Sequence, residues 1–158
     1  MNLYFFDSSA LVKRYVHEAG SQWVHTVTRL SVSNILFVSR ITLVEISSAF
    51  ARLEREGKVD SSQILATFQL FEHDWKNQYQ IVEIDEALSE NAGQLVRKYP
   101  LRAYDSVQLA SALSLLPFFN GIDSSLFTFV CADDRLLSVA QSEGLRTENP
   151  NSHLTART

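Results

Sequence analysis

Short apolar runs alternate with longer amphipathic segments along this chain, and each kind of segment predicts one kind of secondary structure. Four short runs end abruptly at polar or charged residues, which is typical of strands buried inside a sheet. They are Leu3–Phe6, Ile35–Val38, Ile81–Ile84 and Leu126–Cys131. Leu145–Glu148 is predicted to add a short edge strand. Strands that alternate with helices indicate a mostly parallel sheet that is covered on both faces.

Helices are predicted where apolar residues recur every three or four positions and where capping residues begin the pattern. The predicted helices run from the Asp7–Ser9 cap to Val16, over Ser21–Leu30, over Ile41–Glu56, from the Asp60–Ser62 cap to Asn77, from Asp85 or Ser89 to Tyr99, over Tyr104–Leu116 and over Arg135–Glu143. Asn120–Asp123 is expected to form a turn, and residues 151–158 a loose tail. The chain is therefore expected to fold as a single domain over residues 1–150.

The segment Leu101–Leu113 is predicted to be a helix that is buried over much of its circumference, yet it carries an acid. Asp105 is the only charged residue between Ala103 and Phe119. A carboxylate in such surroundings is costly unless it is paired, hydrogen-bonded or bound to a metal ion. Asp105 also lies near the start of its helix, where backbone N–H groups favour a negative charge, so a capping role is the alternative.

Other acids interrupt apolar stretches in the same way. Asp7 is the only charged residue among the first twelve and directly follows a predicted strand. Glu45 is the only charged residue from Ile41 to Ala51. Asp133 and Asp134 follow the fourth predicted strand. Each acid has an ordinary alternative role, either as a helix cap or as an exposed surface charge.

Taken together, these acids predict a metal site. The carboxyl ends of the strands in a parallel sheet share one edge, and carboxylates gathered there repel one another. A divalent cation relieves that repulsion, and a site made of oxygen ligands suits Mg²⁺ or Mn²⁺. No histidine is placed to join the acids, which disfavours zinc. Magnesium bound by carboxylates is common in phosphodiester cleavage, whereas the chain has no GxxxxGK[ST], GxGxxG or GxSxG motif.

Composition indicates the class of protein in which this chemistry takes place. A chain of 158 residues with 46% hydrophobic and 20% charged residues suits one domain with a full core. Cys131 is the only cysteine, which excludes an internal disulfide and agrees with a reducing cytoplasm. The N-terminal residues lack the basic start of a signal peptide, and no run of 18 apolar residues predicts a membrane span. The net charge of −4 argues against binding nucleic acid by bulk charge, though not against a local basic rim.

Four segments in order resemble the motifs of PIN-domain nucleases, and more narrowly those of VapC-type toxins of bacterial toxin–antitoxin pairs. They are DSSALVKRY at Asp7–Tyr15, TLVEISSAF at Thr42–Phe50, LRAYDSVQLASAL at Leu101–Leu113 and FVCADDRLLSVAQSEGL at Phe129–Leu145. The resemblance implies a three-layer α/β/α sandwich with a mostly parallel sheet of four to five strands. It also implies a ribonuclease that depends on Mg²⁺ or Mn²⁺ and that has an antitoxin as its partner.

The resemblance also assigns roles to individual residues. The acids that would hold the metal ion and serve catalysis fall on Asp7, Glu45, Asp105 and Asp133. The small hydroxyl residue that supports the metal site in this family falls on Ser9. Cys131 departs from the family pattern, which usually has Ser or Thr there, and a thiol gives weaker hydrogen-bond support. Asp133 is preferred to Asp134 because it is better placed to turn over the sheet edge.

Basic and apolar residues suggest what binds around the acids. Five basic residues flank them in sequence and are candidates for contacts to RNA phosphates, with solvated surface as the alternative: Lys13, Arg14, Arg40, Arg102 and Arg135. The hairpin of the third and fourth helices, with Ala49–Ala51 and Trp75, is expected to bind the antitoxin or a second copy in a homodimer, unless it packs into the core. A DNA- or structure-specific nuclease and a non-catalytic binding module are the alternative functions on the same fold.

Overall fold

Five parallel strands form one central sheet in the computed structural model, which describes residues 1–119 and 124–153. They are β1 (Leu3–Phe6), β2 (Ile35–Ser39), β3 (Tyr79–Val82), β4 (Phe127–Val130) and β5 (Thr147–Glu148). The strand order is β3-β2-β1-β4-β5, and every pairing is parallel. The prediction of a mostly parallel sheet is confirmed, and β1 lies at its centre.

Seven α-helices accompany the sheet in the part of the chain that the structure describes. They are α1 (Ser8–Leu11), α2 (Ser21–Val27), α3 (Thr42–Arg55), α4 (Ser61–Asn77), α5 (Glu86–Lys98), α6 (Ala103–Leu113) and α7 (Asp134–Ser142). Short 3₁₀ turns lie at Val12–Arg14, Leu116–Phe119, Ser124–Leu126 and Pro150–Ser152. The turn predicted at Asn120–Asp123 and residues 154–158 of the predicted tail lie outside the described residues. Within those residues, no helix combines the length and the apolar character that a membrane crossing requires.

The two faces of the sheet bury separate hydrophobic clusters, because successive strand residues point to opposite sides. Phe5 and Phe129 stack with 5.7 Å between ring centroids, on the face covered by α5, α6 and α7. Phe6 and Val130, each one residue further along its strand, pack on the other face with residues of α1 to α4. This arrangement is the predicted three-layer α/β/α sandwich.

Several element ends differ from the prediction: α1 ends at Leu11 rather than Val16, α2 at Val27 rather than Leu30, and β3 at Val82 rather than Ile84. Two further differences have identifiable reasons. Helix α6 ends at Leu113 rather than Leu116, because the ring of Pro117 clashes with the carbonyl four residues earlier in a helix. Strand β3 begins at Tyr79 rather than Ile81, because the Tyr79 side chain is buried in the core. Both differences concern the ends of elements and leave the order of helices and strands as predicted.

The α3–α4 hairpin uses most of its large apolar residues for the core of its own chain, although Val44 and Leu65 are 62% and 59% exposed. Phe50, Phe71 and Trp75 are 0%, 1% and 8% exposed, and the Phe50 ring packs edge-on against those of Phe68 and Phe71. The interpretation of this stripe as surplus surface for a partner is therefore wrong for these residues, and the core-packing alternative is correct.

The C-terminal segment packs against the N-terminal half of the chain as far as His153. The His153 ring stacks on Trp23 with 4.6 Å between centroids, and its Nε2 lies 3.1 Å from Glu148. Gly20 has a φ of 84°, and a Cβ at this position would lie 2.4 Å from the Pro150 carbonyl oxygen. Glycine is therefore needed where these two parts of the chain meet. The packed part of the chain extends past residue 150, where the tail was expected to begin.

Candidate active site

Asp7 lies at the C-terminal edge of the sheet, directly after the central strand. Its backbone N–H donates to the carbonyl of Val130 at 2.9 Å, which holds it beside the end of β4. Its side chain accepts hydrogen bonds from the backbone N–H and the hydroxyl of Ser9. The first of these bonds caps α1, so the capping role and a role in the site belong to the same carboxylate.

The Asp7 carboxylate is short of positive charge. Burial raises the pKa of Asp7 from 3.8 to about 6; the hydrogen bonds from Ser9 oppose this rise, and the negative charge of Glu45 adds to it. Asp7 is only 5% exposed, so water does little to stabilise its ionised form. A cation bound at this edge would favour the ionised form.

Glu45 reaches the same edge from the first turn of α3. Its Oε2 accepts hydrogen bonds from the Ser8 hydroxyl at 2.5 Å and from the side-chain amide of Gln108 at 2.6 Å. The residue is half-buried, so the alternative of a fully exposed helical acid does not hold. Ser8 and Gln108 therefore fix the direction in which the Glu45 carboxylate points.

Gln108 is a residue of this site that the sequence analysis missed. It is completely buried on α6, one helical turn after Asp105, and its Nε2 also lies 2.8 Å from Ser8 Oγ and 3.0 Å from Thr42 Oγ1. Its Oε1 is buried and has no hydrogen-bond partner among the residues that the structure describes. A signal was present in the sequence, because a glutamine inside so apolar a helix needs partners as much as an acid does.

Arg102 joins the other two predicted acids. Its Nε donates to Asp105 Oδ2 at 3.0 Å, and its Nη2 lies 3.5 Å from Asp133 Oδ2. The hydrogen bond to Asp105 raises the pKa of Arg102, with further contributions from the charges of Asp133 and Asp7. Arg102 therefore contacts two of the four acids, and the charge of a third, Asp7, also acts on it.

The acid pair after β4 is divided between two tasks. Asp133 caps α7 by accepting from the backbone N–H of Arg135 at 2.9 Å, and its other carboxylate oxygen faces Arg102. Asp134 is exposed and accepts a hydrogen bond from the Asn149 side chain at 2.7 Å. The structure thus places Asp133 with the other acids and turns Asp134 toward the segment after β5.

Ser9 and Cys131 contact the acids through hydrogen bonds. The Ser9 hydroxyl, besides contacting Asp7, accepts a hydrogen bond from the backbone N–H of Ala132 at 3.0 Å. The Cys131 thiol lies 3.4 Å from Asp7 Oδ2 and 3.3 Å from the backbone nitrogen of Asp133. Burial raises the pKa of the Cys131 thiol, which keeps it protonated as a donor toward Asp7. Cysteine therefore occupies the position of the family's hydroxyl residue and contacts both neighbouring acids.

Two of the five predicted phosphate contacts are used by the fold instead. Arg14 forms an ion pair with Asp74, with 2.9 Å between Nε and Oδ2, and both side chains are largely buried. Lys13 is buried and its Nζ lies 3.0 Å from Glu18. Since both cations are engaged inside the domain, we do not retain them as phosphate contacts.

The other three basic residues lie at or near the edge that carries the acids. Arg135 is largely exposed at the start of α7, with its Nε 3.8 Å from Asp133. Arg40 follows the end of β2, forms an ion pair with Glu83 and lies 5.6 Å from the centre of the Trp75 ring. Together with Arg102, they form the local basic rim that an acidic protein needs to bind an anion.

The donor chemistry of this edge fits a divalent cation, but the acids do not converge on one point. The four carboxylates offer only oxygen ligands, which suits Mg²⁺ or Mn²⁺, and Asp7 is short of positive charge. Over residues 1–119 and 124–153, however, no three His, Cys, Asp or Glu side chains lie close enough together to hold one ion. The physical reason is that Arg102 already supplies a positive charge between Asp105 and Asp133.

Comparisons with known proteins identify the family of this chain. The sequence model of the PIN domain matches residues 4–115. Two Mycobacterium tuberculosis proteins, named Ribonuclease VapC45 and Ribonuclease VapC49, are each 30% identical to this chain over 118 residues. In both cases the similarity covers 73% of this chain and 78% of the relative.

Solved structures share the fold at much lower sequence identity. VapBC2 from Rickettsia felis, bound to a DNA fragment from its promoter, aligns with a TM-score of 0.60 and 14% identity over 93% of this chain and 98% of the other. FitAB bound to a DNA fragment aligns with a TM-score of 0.62 and 15% identity over 98% and 99%. The family match over residues 4–115 and the two similar relatives lead to one conclusion: this chain belongs to the PIN domain family.

Proposed function

We propose that this protein is an endoribonuclease that depends on Mg²⁺ or Mn²⁺ and acts in the cytoplasm as the toxin of a toxin–antitoxin pair. The observation that carries the proposal is the arrangement of four acids, from four different elements, at the C-terminal edge of one parallel sheet. These acids are Asp7, Glu45, Asp105 and Asp133. The similarity to proteins named Ribonuclease VapC45 and VapC49 favours RNA as the substrate.

The residues of the site can divide the hydrolytic work between them. When bound, the divalent ion would activate a water molecule and offset charge on the phosphate. Asp7, Asp105 and Asp133 are the proposed ligands. Glu45, held by Ser8 and Gln108, would orient the attacking water.

Arg102 has a second role in this mechanism. Its guanidinium contacts Asp105 and Asp133, both of which are proposed metal ligands. A cation shared by these acids would compete with Arg102 for their oxygens. The released guanidinium would then be available for a phosphate oxygen of the substrate, together with the exposed Arg135.

Metal-dependent cleavage of a defined RNA tests the proposal. Purified protein should cleave a single-stranded RNA in Mg²⁺ or Mn²⁺ and not in EDTA, and the Asp105→Asn variant should be inactive. The products should carry 5′-phosphate and 3′-hydroxyl ends, because water is the proposed nucleophile. Undiminished cleavage in EDTA, or a 2′,3′-cyclic phosphate product, would contradict the mechanism. Cleavage of a DNA strand of the same sequence but not of RNA would favour the alternative substrate.

The proposal of an antitoxin partner and a homodimer rests on the resemblance to VapC-type toxins. A short reading frame next to this one should encode a protein that co-purifies with the toxin and suppresses RNA cleavage. Light scattering on the purified chain, alone and with that protein, should show a dimer and a larger complex. A stable monomer that gains no mass on mixing would count against both partners.

A further inference from the structure

A groove of about 340 Å³ opens beside Glu45, between the outer face of α3 and the start of α6. Its lining residues on α3 form two adjacent rows at helical spacing, and α6 contributes one aromatic side chain. The groove is lined by Val44, Glu45, Ser48, Ala49, Arg52 and Tyr104. Glu45 belongs both to the groove and to the candidate active site, and Tyr104 directly precedes Asp105 in the sequence.

Two large side chains in the groove are exposed to solvent instead of packing in the core. Tyr104 is 60% exposed and Val44 is 62% exposed. Ser48 and Ala49 lie between them on the α3 side and leave space, because both side chains are small. The Ser48 hydroxyl forms no hydrogen bond within the described part of the chain. The groove therefore offers a flat aromatic face, an aliphatic contact and a free hydroxyl group.

The charges at the two ends of the groove are opposite. Glu45 lies at the end next to the proposed metal ligands, and Arg52 lies two helical turns further along α3, at a distance of about 10 Å. Arg52 is exposed and takes part in no salt bridge among residues 1–119 and 124–153. An anionic group is thus favoured at the Arg52 end, away from the four acids.

From this combination we propose that the groove binds a nucleobase of single-stranded RNA next to the cleaved bond, with Tyr104 stacking on the base and Arg52 binding a neighbouring phosphate. This inference rests on the proposed ribonuclease function and adds a base-binding subsite to it. Aromatic side chains bind unpaired bases by stacking whatever the sequence, and an arginine nearby binds the backbone. A nucleotide chain suits the groove better than an apolar peptide helix would, because it supplies both a flat ring and an anion.

Binding and cleavage of a 2-aminopurine-labelled RNA by full-length variants test this subsite. Binding is measured in EDTA, where the proposed cleavage does not occur, and stacking is followed by quenching of 2-aminopurine fluorescence. Tyr104→Ala should weaken binding about tenfold and abolish the quenching, since stacking on one base is worth about this much. Tyr104→Phe should retain both, because the ring remains. Arg52→Gln should weaken binding and make it less dependent on salt.

Phe118→Ala is the matched control, because Phe118 is an aromatic residue that is 79% exposed and lies outside the groove. It should bind RNA as the wild type does. If wild-type protein cleaves RNA and Tyr104→Ala binds and cleaves equally well, this inference fails while the proposed function stands. If Tyr104→Ala changes only the oligomeric state in light scattering, the groove is an interface between copies and the inference also fails. If wild-type protein binds no RNA in EDTA, the inference fails, and the proposed function fails with it only if RNA is also not cleaved in Mg²⁺ or Mn²⁺.

Discussion

At the scale of single residues, the buried amide of Gln108 decides how Glu45 is held. The amide nitrogen has two hydrogens but three oxygens within 3.0 Å, on Ser8, Thr42 and Glu45. The bond to Glu45 is the shortest of the three and goes to a charged acceptor, which makes it the strongest. Gln108 is therefore a positioning residue that acts through Glu45.

Replacing Gln108 by leucine separates this positioning role from a role in stability. Gln108→Leu should reduce kcat about tenfold, equivalent to roughly 1.4 kcal/mol, and leave KM nearly unchanged, because the substrate does not touch this side chain. The free energy of unfolding should change by less than about 1 kcal/mol, because the substitution also removes the unpaired Oε1. Ser111 lies on the same helix as Gln108, and its buried hydroxyl is bonded to Ser39 of β2. Ser111→Ala removes that hydroxyl and should leave kcat unchanged. An unchanged kcat in Gln108→Leu would refute the positioning role.

The raised pKa of Asp7 predicts how stability depends on pH. The pKa of about 6 in the folded protein lies above the ordinary value of 3.8, so the folded protein binds this proton more tightly than the unfolded chain does. The resulting stability is complete below about pH 4 and is lost as the pH rises through about 6, with a total of about 3 kcal/mol. In EDTA, Asp7→Asn should lack this loss and be more stable than the wild type at pH 7.5. Urea unfolding of the two proteins at pH 4 to 8 measures their free energies of unfolding. If these change with pH in parallel, the loss of stability does not come from Asp7.

At the scale of elements, the start of α7 tests which acid after β4 belongs to the site. Asp133→Asn should lose most Mn²⁺ binding and RNA cleavage, because its carboxylate faces Arg102, which also contacts Asp105. Asp134→Asn should retain both within a few-fold and change the free energy of unfolding by about 1 kcal/mol or less, since its hydrogen bond to the Asn149 side chain lies at the surface. Titration with Mn²⁺ and a cleavage assay compare the two variants. A dead Asp134→Asn variant would show that the site uses the other acid.

Arg14 joins the turn after α1 to helix α4, whereas Arg135 is exposed at the start of α7. Replacing each of them should therefore have a different effect. Arg14→Gln leaves Asp74 as a buried charge without its partner and should destabilise the fold by about 3 kcal/mol. The folded variant should keep its RNA affinity, because Arg14 does not face the acids. Arg135→Gln, a change at an 84% exposed side chain, should do the reverse. Thermal unfolding and RNA binding of both variants decide the point; a stable Arg14→Gln variant with weakened RNA binding would restore the original expectation.

Sequence patterns identified the elements more reliably than the polar contacts between them. Apolar runs located β1, β2 and β4 to within one residue at either end, because a buried strand must be apolar on both faces. The search for isolated charges found Asp7 and Asp105 but passed over the neutral Gln108. Arg14 could not be assigned to the fold from sequence, since its partner Asp74 becomes its neighbour only after α4 has packed.

At the scale of the whole molecule, the contact between Gly20 and Pro150 ties the end of the described chain to its first quarter. Gly20→Ala combines a positive φ with a clash against backbone, so it should cost about 3 kcal/mol or more of unfolding free energy. Gly57→Ala is the control, because Gly57 has a similar φ of 67° but nothing within 4 Å of an added Cβ, and should cost about 1–2 kcal/mol. Urea unfolding of the two variants measures the difference. Equal losses would mean that the C-terminal segment moves aside at no cost.

The central position of β1 has a consequence for the timing of synthesis. Leu3 pairs with Ile35 on one side and with Phe127 on the other. One edge of β1 therefore stays unpaired until β4 has been synthesised. Closing so long a loop is slow and cannot occur on a ribosome before β4 has emerged. A growing chain therefore exposes Asp7, Glu45 and Asp105 without Asp133 beside them. If the proposed nuclease activity is correct, the growing chain cannot cleave RNA before β4 and Asp133 have left the ribosome.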